Sequence, residues 1–234
     1  MQSTLRLVDT SVGKKALVGL TGAILFGFVI AHSLANALIL FALYDVELGR
    51  ELLNGYAALM HAVPELLWTA RSVLLGSLLV HLALSIQLAR QNATARPSRY
   101  RTDANGTDQS ALQKYARYTM IYSGPLILLY VIFHIAHLTV GVELPIEGYT
   151  YAELRPYENM IGSFTVPWIS AIYVAANLFL GLHLFHGGQA LFNTLGLRHP
   201  KWDPRTRGAA MAIASLVTVS NVAVAVVTSL GLVG

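Results

Sequence analysis

The 234-residue chain has no cysteine. Disulfides, thiolate metal centres and cysteine-held iron–sulfur clusters are therefore excluded within it. Charge is scarce too. Only 12 % of residues are Asp, Glu, Lys or Arg, against about 25 % in an ordinary soluble domain. No G-x-G-x-x-G occurs, so the chain carries no dinucleotide-binding fingerprint of its own. Hydrophobic residues are abundant, at 55 %, and they come in long runs. Residues 16–43 hold no charged side chain. About 20 apolar residues suffice to cross a bilayer as a helix. Four more runs follow at about 66–89, 118–142, 166–195 and 208–233. The expected fold is an all-α membrane protein with five transmembrane helices, one domain over residues 1–234. Runs of this length argue against a soluble helical protein. The first run is too long for a signal h-region and lacks a clear small-x-small cleavage site, so it is read as a span.

The connecting segments differ in charge. Arg6, Lys14 and Lys15 precede the first span. Arg90, Arg96, Arg99, Arg101, Lys114 and Arg117 lie between the second and third, and Arg198, Lys201, Arg205 and Arg207 between the fourth and fifth. The other two connections hold only Arg50 and Arg155, beside Asp45, Glu47, Glu51 and Glu65, then Glu143, Glu147, Glu153 and Glu158. Lys and Arg mark the cytoplasmic side. The N-terminus is therefore expected inside and the C-terminus outside. The pI of 9.4 reflects basic residues at membrane edges and gives no reason to expect a nucleic-acid partner. No repeat of short period is visible.

Six of the eight histidines lie in apolar runs: His32, His81, His134, His137, His183 and His186. Lys15 and His32 are 17 positions apart, as are Arg117 and His134. At 1.5 Å per residue both imidazoles lie about 25 Å from the inner edge. On the descending helices, 13 positions separate Trp68 from His81 and 15 separate Trp168 from His183. Those two lie about 20 Å below the outer aromatic belt. The first and third spans thus offer an imidazole pair near the outer face, and the second and fourth a pair near the inner face. Facing helices of a bundle build cofactor sites from such pairs. Two neutral imidazoles suit a six-coordinate, electron-transferring haem. Zinc wants four ligands. The plainer reading is four histidines hydrogen-bonded to neighbouring helices; two matched depths weigh against it. Within the doublets, His134/His137 and His183/His186, residues at i and i+3 share a face. Periodicity does not choose; depth favours His134, and His183 only weakly.

Arg71 lies about two turns into the second span, ten positions before His81, hence about 15 Å nearer the outer face. An intramembrane charge marks a functional site by default. A propionate of the outer haem is its expected partner; snorkelling to the interface is the alternative. Asn177 and Asn221 read as interhelical hydrogen bonds, and Gly19, Gly22 and Gly27 as places of close helix or cofactor approach. His199 reads as a solvated loop residue.

The stretches "GKKALVGLTGAILFGFVIAHSLAN", "LLNGYAALMH", "LLWTARSVLLGSLLVHLAL", "ARPSRY", "SGPLILLYVIFHIAHLTVG" and "LHLFHGGQALFNTLGLRHPKW" cover about residues 13–202. In order and spacing the chain resembles the cytochrome b membrane-anchor subunit of succinate:quinone oxidoreductases, in its single-chain, five-helix, diheme form. The resemblance implies a four-helix haem-binding core plus a fifth helix. It implies His32, His81, His134 and His183 as axial ligands of two haems b. Gly187 and Gly196 follow His183 at the family's spacing and do not follow His186 so. Ala35 stands where relatives have Gly in His-Leu-x-Gly-Asn. Leu180 stands where some relatives carry a proton-moving Glu, so that pathway is not implied.

The resemblance also implies partners: a flavoprotein subunit with FAD that performs the succinate or fumarate chemistry, and an iron–sulfur subunit. Both would sit on the cytoplasmic face of a bacterial inner membrane. The chain would exchange electrons with a membrane quinone, menaquinone being the expected one; candidate contacts are Asn54, Tyr56, His61 and Glu65 on the outer side, with Gln87, Arg90 and Tyr115 on the inner side. A higher oligomer of the whole complex is compatible with it. Two other classes compete. One is the diheme cytochrome b of another quinone-linked dehydrogenase or reductase. The other is a haemless transporter using histidines as a proton relay.

Overall fold

The computed structural model describes residues 10–94, 111–142, 144–194 and 201–234, with some side chains between 93 and 121 left out. Arg6, Arg96, Arg99, Arg101, Glu143, Arg198 and His199, and the side chains of Lys114 and Arg117, lie outside the described residues. Among the described residues all regular structure is helical. Five segments are long and apolar enough to cross a membrane: Ser11–Leu43, Pro64–Asn92, Tyr122–Val140, Pro167–Thr194 and Asp203–Ser229. Each overlaps an expected span. The fifth begins a few residues earlier than its uncharged run, with Asp203 and Arg207 on its first turns as an i,i+4 ion pair at 2.8 Å, and ends at Ser229.

Helix α1 (Ser11–Asn36) starts at Thr10, whose hydroxyl accepts from the Gly13 N–H at 3.0 Å. Such a cap satisfies one orphan donor of the first turn. The span continues as a 3-10 segment, Ala37–Leu43. The chain then reverses into α2 (Val46–His61), capped by Asp45 at the Leu48 N–H, 3.1 Å. Gly49 permits the reversal. A Cβ there would lie 2.5 Å from the Ala42 backbone nitrogen. α2 was not expected, since its charges made it read as a loop. It is an amphipathic helix that buries Gly49 and Leu53 and exposes Leu48, Tyr56, Leu59 and Met60. Lying between two spans, it sits at the same end of the bundle as the tops of both.

Helix α3 (Pro64–Thr94) packs mainly on α1. Helix α4 (Ala111–Ile135) contains Pro125 and passes into a π-helical turn, Ala136–Val140. Gly141, at φ 72°, ends it; any Cβ there would strike the Tyr151 ring. Helix α5 (Pro156–Phe164) lies in the second acidic connection. It is clamped to α2. Asn54 donates to Glu158 at 2.8 Å and accepts from the Tyr157 N–H at 3.1 Å. Helix α6 (Pro167–Thr194) packs against α4 and, most extensively, α7 (Asp203–Ser229). Small residues allow that approach. A Cβ on Gly181 would lie 2.1 Å from Thr218 Oγ1, and one on Gly188 3.2 Å from Ala210 Cβ. α1 touches α3, α6 and α7, but α1 and α4 do not pack along their lengths, nor does α3 pack on α4 or α6. Among the described residues α3 thus stands clear of α4 and α6, and α1 of α4, which leaves a seam between these helices that the contact of α1 with α6 closes on one side.

Candidate cofactor-binding site

All four singled-out histidines line that seam. At its α2/α5 end, the rings of His32 on α1 and His134 on α4 meet edge to face with centroids 5.7 Å apart. Side chains thus bridge two helices whose backbones stand apart. Phe28 stacks on His32 at 5.3 Å. Tyr130 and Tyr173 flank His134 at 5.7 and 5.9 Å. Tyr173 Oη lies 3.3 Å from His134 Nδ1 and 2.9 Å from His137 Nδ1. His137 is buried, on the π-helical turn, against Phe133 and Phe164. The doublet is therefore divided: His134 faces His32, while His137 faces the aromatic cluster behind it.

At the other end, His81 Nδ1 lies 3.1 Å from the Val18 carbonyl and 3.4 Å from Thr21 Oγ1, both on α1. A carbonyl only accepts, so Nδ1 carries the proton and Nε2 keeps its lone pair. Thr21's own proton goes to the Leu17 carbonyl at 2.7 Å. Gly22 makes room for the ring, since a Cβ there would lie 3.1 Å from His81 Cε1. His183 Nδ1 lies 3.3 Å from Ser123 Oγ on α4, and Ser123 donates to the Met120 carbonyl at 3.3 Å. His81 and His183 are near enough to interact electrostatically, as are His183 and His186.

A regularity in the sequence emerges from these contacts. Thr21 and His81, and Ser123 and His183, are both 60 residues apart. A shift of 102 residues carries Thr21 onto Ser123, Gly22 onto Gly124, His32 onto His134, His81 onto His183 and Gln87 onto Gln189. Val29, Ile30 and Leu82 likewise recur as Val131, Ile132 and Leu184. The same offset thus relates α1 with α3 to α4 with α6 at the positions of the histidines and their nearest polar neighbours. Inspection for short periods misses this, because the repeat is as long as two spans and their connection.

Arg71 lies near the α2 end of α3 with its guanidinium 5.0 Å from the Trp68 ring centre. Among the described residues no ion pair engages it. Asn177 and Asn221 do hydrogen-bond across α6 and α7, at 2.8 Å. Ser33 on α1 extends the chain by donating to Asn221 at 2.6 Å, and Tyr130 on α4 joins through Asn177. Of the outer quinone candidates, Asn54 is committed to α5, and His61 Nδ1 bonds within its own helix to the Ala57 carbonyl at 2.8 Å. Gly27 has nothing within 4 Å of its would-be Cβ.

Imidazoles converge here in twos; among the described residues no cluster of three or more His, Cys, Asp or Glu forms. No known protein family, curated protein or solved structure matches the chain.

Proposed function

We propose that the chain is the cytochrome b membrane anchor of a succinate:quinone oxidoreductase, binding two haems b by paired imidazoles. The observation that carries this reading is the seam. Two histidine pairs line it, and His81, His134 and His183 each have Nδ1 at an oxygen of the protein. Metal-binding imidazoles are oriented in that way, with the far nitrogen held and Nε2 presented. The residues fit the group. The His32–His134 spacing is 5.7 Å. When bound, the haems supply one-electron relays between a soluble donor and a quinone.

The chain's own residues do the rest. Val18 and Ser123 hold His81 and His183 as neutral ligands for the inner group. Tyr173 holds His134, and Phe28, Tyr130 and Phe133 exclude water around the outer one. Arg71, about 15 Å nearer the outer face than His81, offers a cation to a propionate. The basic connections would face the cytoplasm and dock the iron–sulfur and FAD-bearing flavoprotein subunits, where the succinate chemistry resides. The quinone, menaquinone by expectation, would reach the chain from the lipid of a bacterial inner membrane.

The test is a reduced-minus-oxidised spectrum of the purified protein with its native partners, with haem quantified by pyridine hemochromogen. Two haems b per chain and a co-purifying flavoprotein are expected. A colourless preparation refutes the cytochrome reading in favour of a haemless relay. Two haems with a partner that lacks flavin would move the chain to another quinone-linked dehydrogenase or reductase.

A further inference from the structure

We propose that Tyr173 and His137 form a hydrogen-bond relay that positions His134 and sets its strength as a donor; this rests on the bis-imidazole reading of the outer pair. Tyr173 has one O–H and two lone pairs. Two imidazole nitrogens approach its oxygen, His137 Nδ1 at 2.9 Å and His134 Nδ1 at 3.3 Å. One proton cannot serve both, so at least one imidazole donates. His134 is the ring that meets His32. A neutral imidazole that presents Nε2 to a metal carries its proton on Nδ1. His134 therefore donates to the Tyr173 oxygen, and Tyr173 donates to His137 Nδ1.

The last member of the relay is then fixed. His137 accepts at Nδ1, so its proton is on Nε2. That nitrogen is buried and has no hydrogen-bond partner. A buried donor without an acceptor disfavours folding, so packing alone does not account for histidine at this position. Accepting from Tyr173 does. A phenol that gives its proton to a base is a better acceptor on its oxygen, and an acceptor on Nδ1–H makes a ligating imidazole more basic. The relay belongs to one unit only. The 102-residue shift relates Tyr173 to Arg71 and His137 to Ala35. His32 has the stacked Phe28 ring beside it instead.

The test measures the midpoint potentials and low-spin EPR signals of both haems in the purified complex. Tyr173→Phe should raise the potential of one haem, leave the other unmoved, and weaken haem binding at that site by about 10- to 100-fold. His137→Phe should give a smaller rise in the same haem. His137→Gln, whose amide oxygen can accept from Tyr173, should restore the wild-type value. Tyr130→Phe cuts the bond to Asn177 and leaves His134 Nδ1 untouched, so it should not move either potential. The relay is overturned by an unmoved potential in Tyr173→Phe, by equal shifts of both haems, by a matching shift in Tyr130→Phe, or by failure of His137→Gln to restore. Those results require a wild type with two b-type haems. A wild type with none overturns the cytochrome reading itself, and the relay with it.

Discussion

Gly22→Ala is a one-methyl change that should loosen one haem of two. The added Cβ would stand 3.1 Å from His81 Cε1 and 3.4 Å from His81 Nδ1. Carbon pairs rest at about 3.5–4.0 Å, so the ring must give way by a few tenths of an ångström. Its Nδ1–H now reaches the Val18 carbonyl at 3.1 Å. A displacement of that size lengthens and misaligns a bond already at the long end of the range. Loss of such a partner weakens metal binding by about 10- to 100-fold, or about 1.4–2.7 kcal/mol. Alanine favours a helix over glycine by about 1 kcal/mol, so the fold itself has no reason to suffer. The assay is haem transfer to an excess of an apo-haem protein, followed by pyridine hemochromogen on what remains. One haem per chain should leave readily and the other stay. Gly76→Ala is the control, on an exposed face of α3 with nothing within 4 Å. If Gly22→Ala holds both haems as the wild type does, or Gly76→Ala loosens one equally, the placement of His81 is not what binds the inner group.

His134→Ala and His183→Ala should each remove one haem, whereas His137→Ala and His186→Ala should leave two; the opposite pattern in haem counts would reverse the choice within each doublet. Asn221→Leu strands Ser33 and Asn177, which it now joins at 2.6 and 2.8 Å, and should destabilise the bundle by about 1–2 kcal/mol; an unchanged unfolding midpoint would show that the chain of amides carries no stability. The Tyr157 hydroxyl, which donates to the Val233 carbonyl, is raised above the usual phenol range by burial, with Arg50 opposing and Glu158 and Glu47 reinforcing. Its contribution to stability should therefore be full below about pH 10 and be lost as pH rises through the higher folded value. A pH–stability profile of Tyr157→Phe parallel to the wild type throughout that range would refute it. Because the chain has no cysteine, single cysteines report sidedness. Glu147→Cys should react with an impermeant maleimide in intact cells and Arg90→Cys only after permeabilisation; the reverse would invert the topology.

The spans were legible because nothing but a bilayer, or a very large core, asks for 28 consecutive uncharged residues. Helix α2 was not. Asp45, Glu47, Arg50 and Glu51 made its segment read as a loop, although Asp45 is a good cap and Gly49, Leu53 and Met60 recur at helical spacing. The histidines were legible by type and depth, and the structure brings His32 and His134 together as depth alone suggested. Their hydrogen-bond partners were not legible. Val18, Thr21, Ser123 and Tyr173 lie 36 to 63 residues from the imidazoles they hold, and only helix rotation in the bundle decides which of many hydroxyls and carbonyls faces a ring.

The 102-residue repeat changes what the matched depths are worth. Two similar units that enter the membrane from the same face place equivalent residues at equal depth automatically. His32 level with His134, and His81 level with His183, are then one coincidence rather than two. What the repeat does not supply is the chemistry that both units keep where their surroundings differ. Gly27 corresponds to Leu129, Ser33 to Ile135 and Asn36 to Leu138, so helix faces have been freely rewritten between the units. Yet each unit has a hydroxyl, Thr21 or Ser123, on its first helix within reach of Nδ1 of the histidine on its second. In the first unit that hydroxyl sends its own proton to the Leu17 carbonyl at 2.7 Å, which leaves its oxygen to accept; in the second, Ser123 Oγ stands 3.3 Å from both the Met120 carbonyl and His183 Nδ1. Packing alone would be indifferent to which ring nitrogen carries the proton. A ligand is not, because only the Nδ1–H tautomer presents a lone pair at Nε2. The case for paired ligation therefore rests more on these two hydroxyl–imidazole couples than on the number of histidines in the membrane.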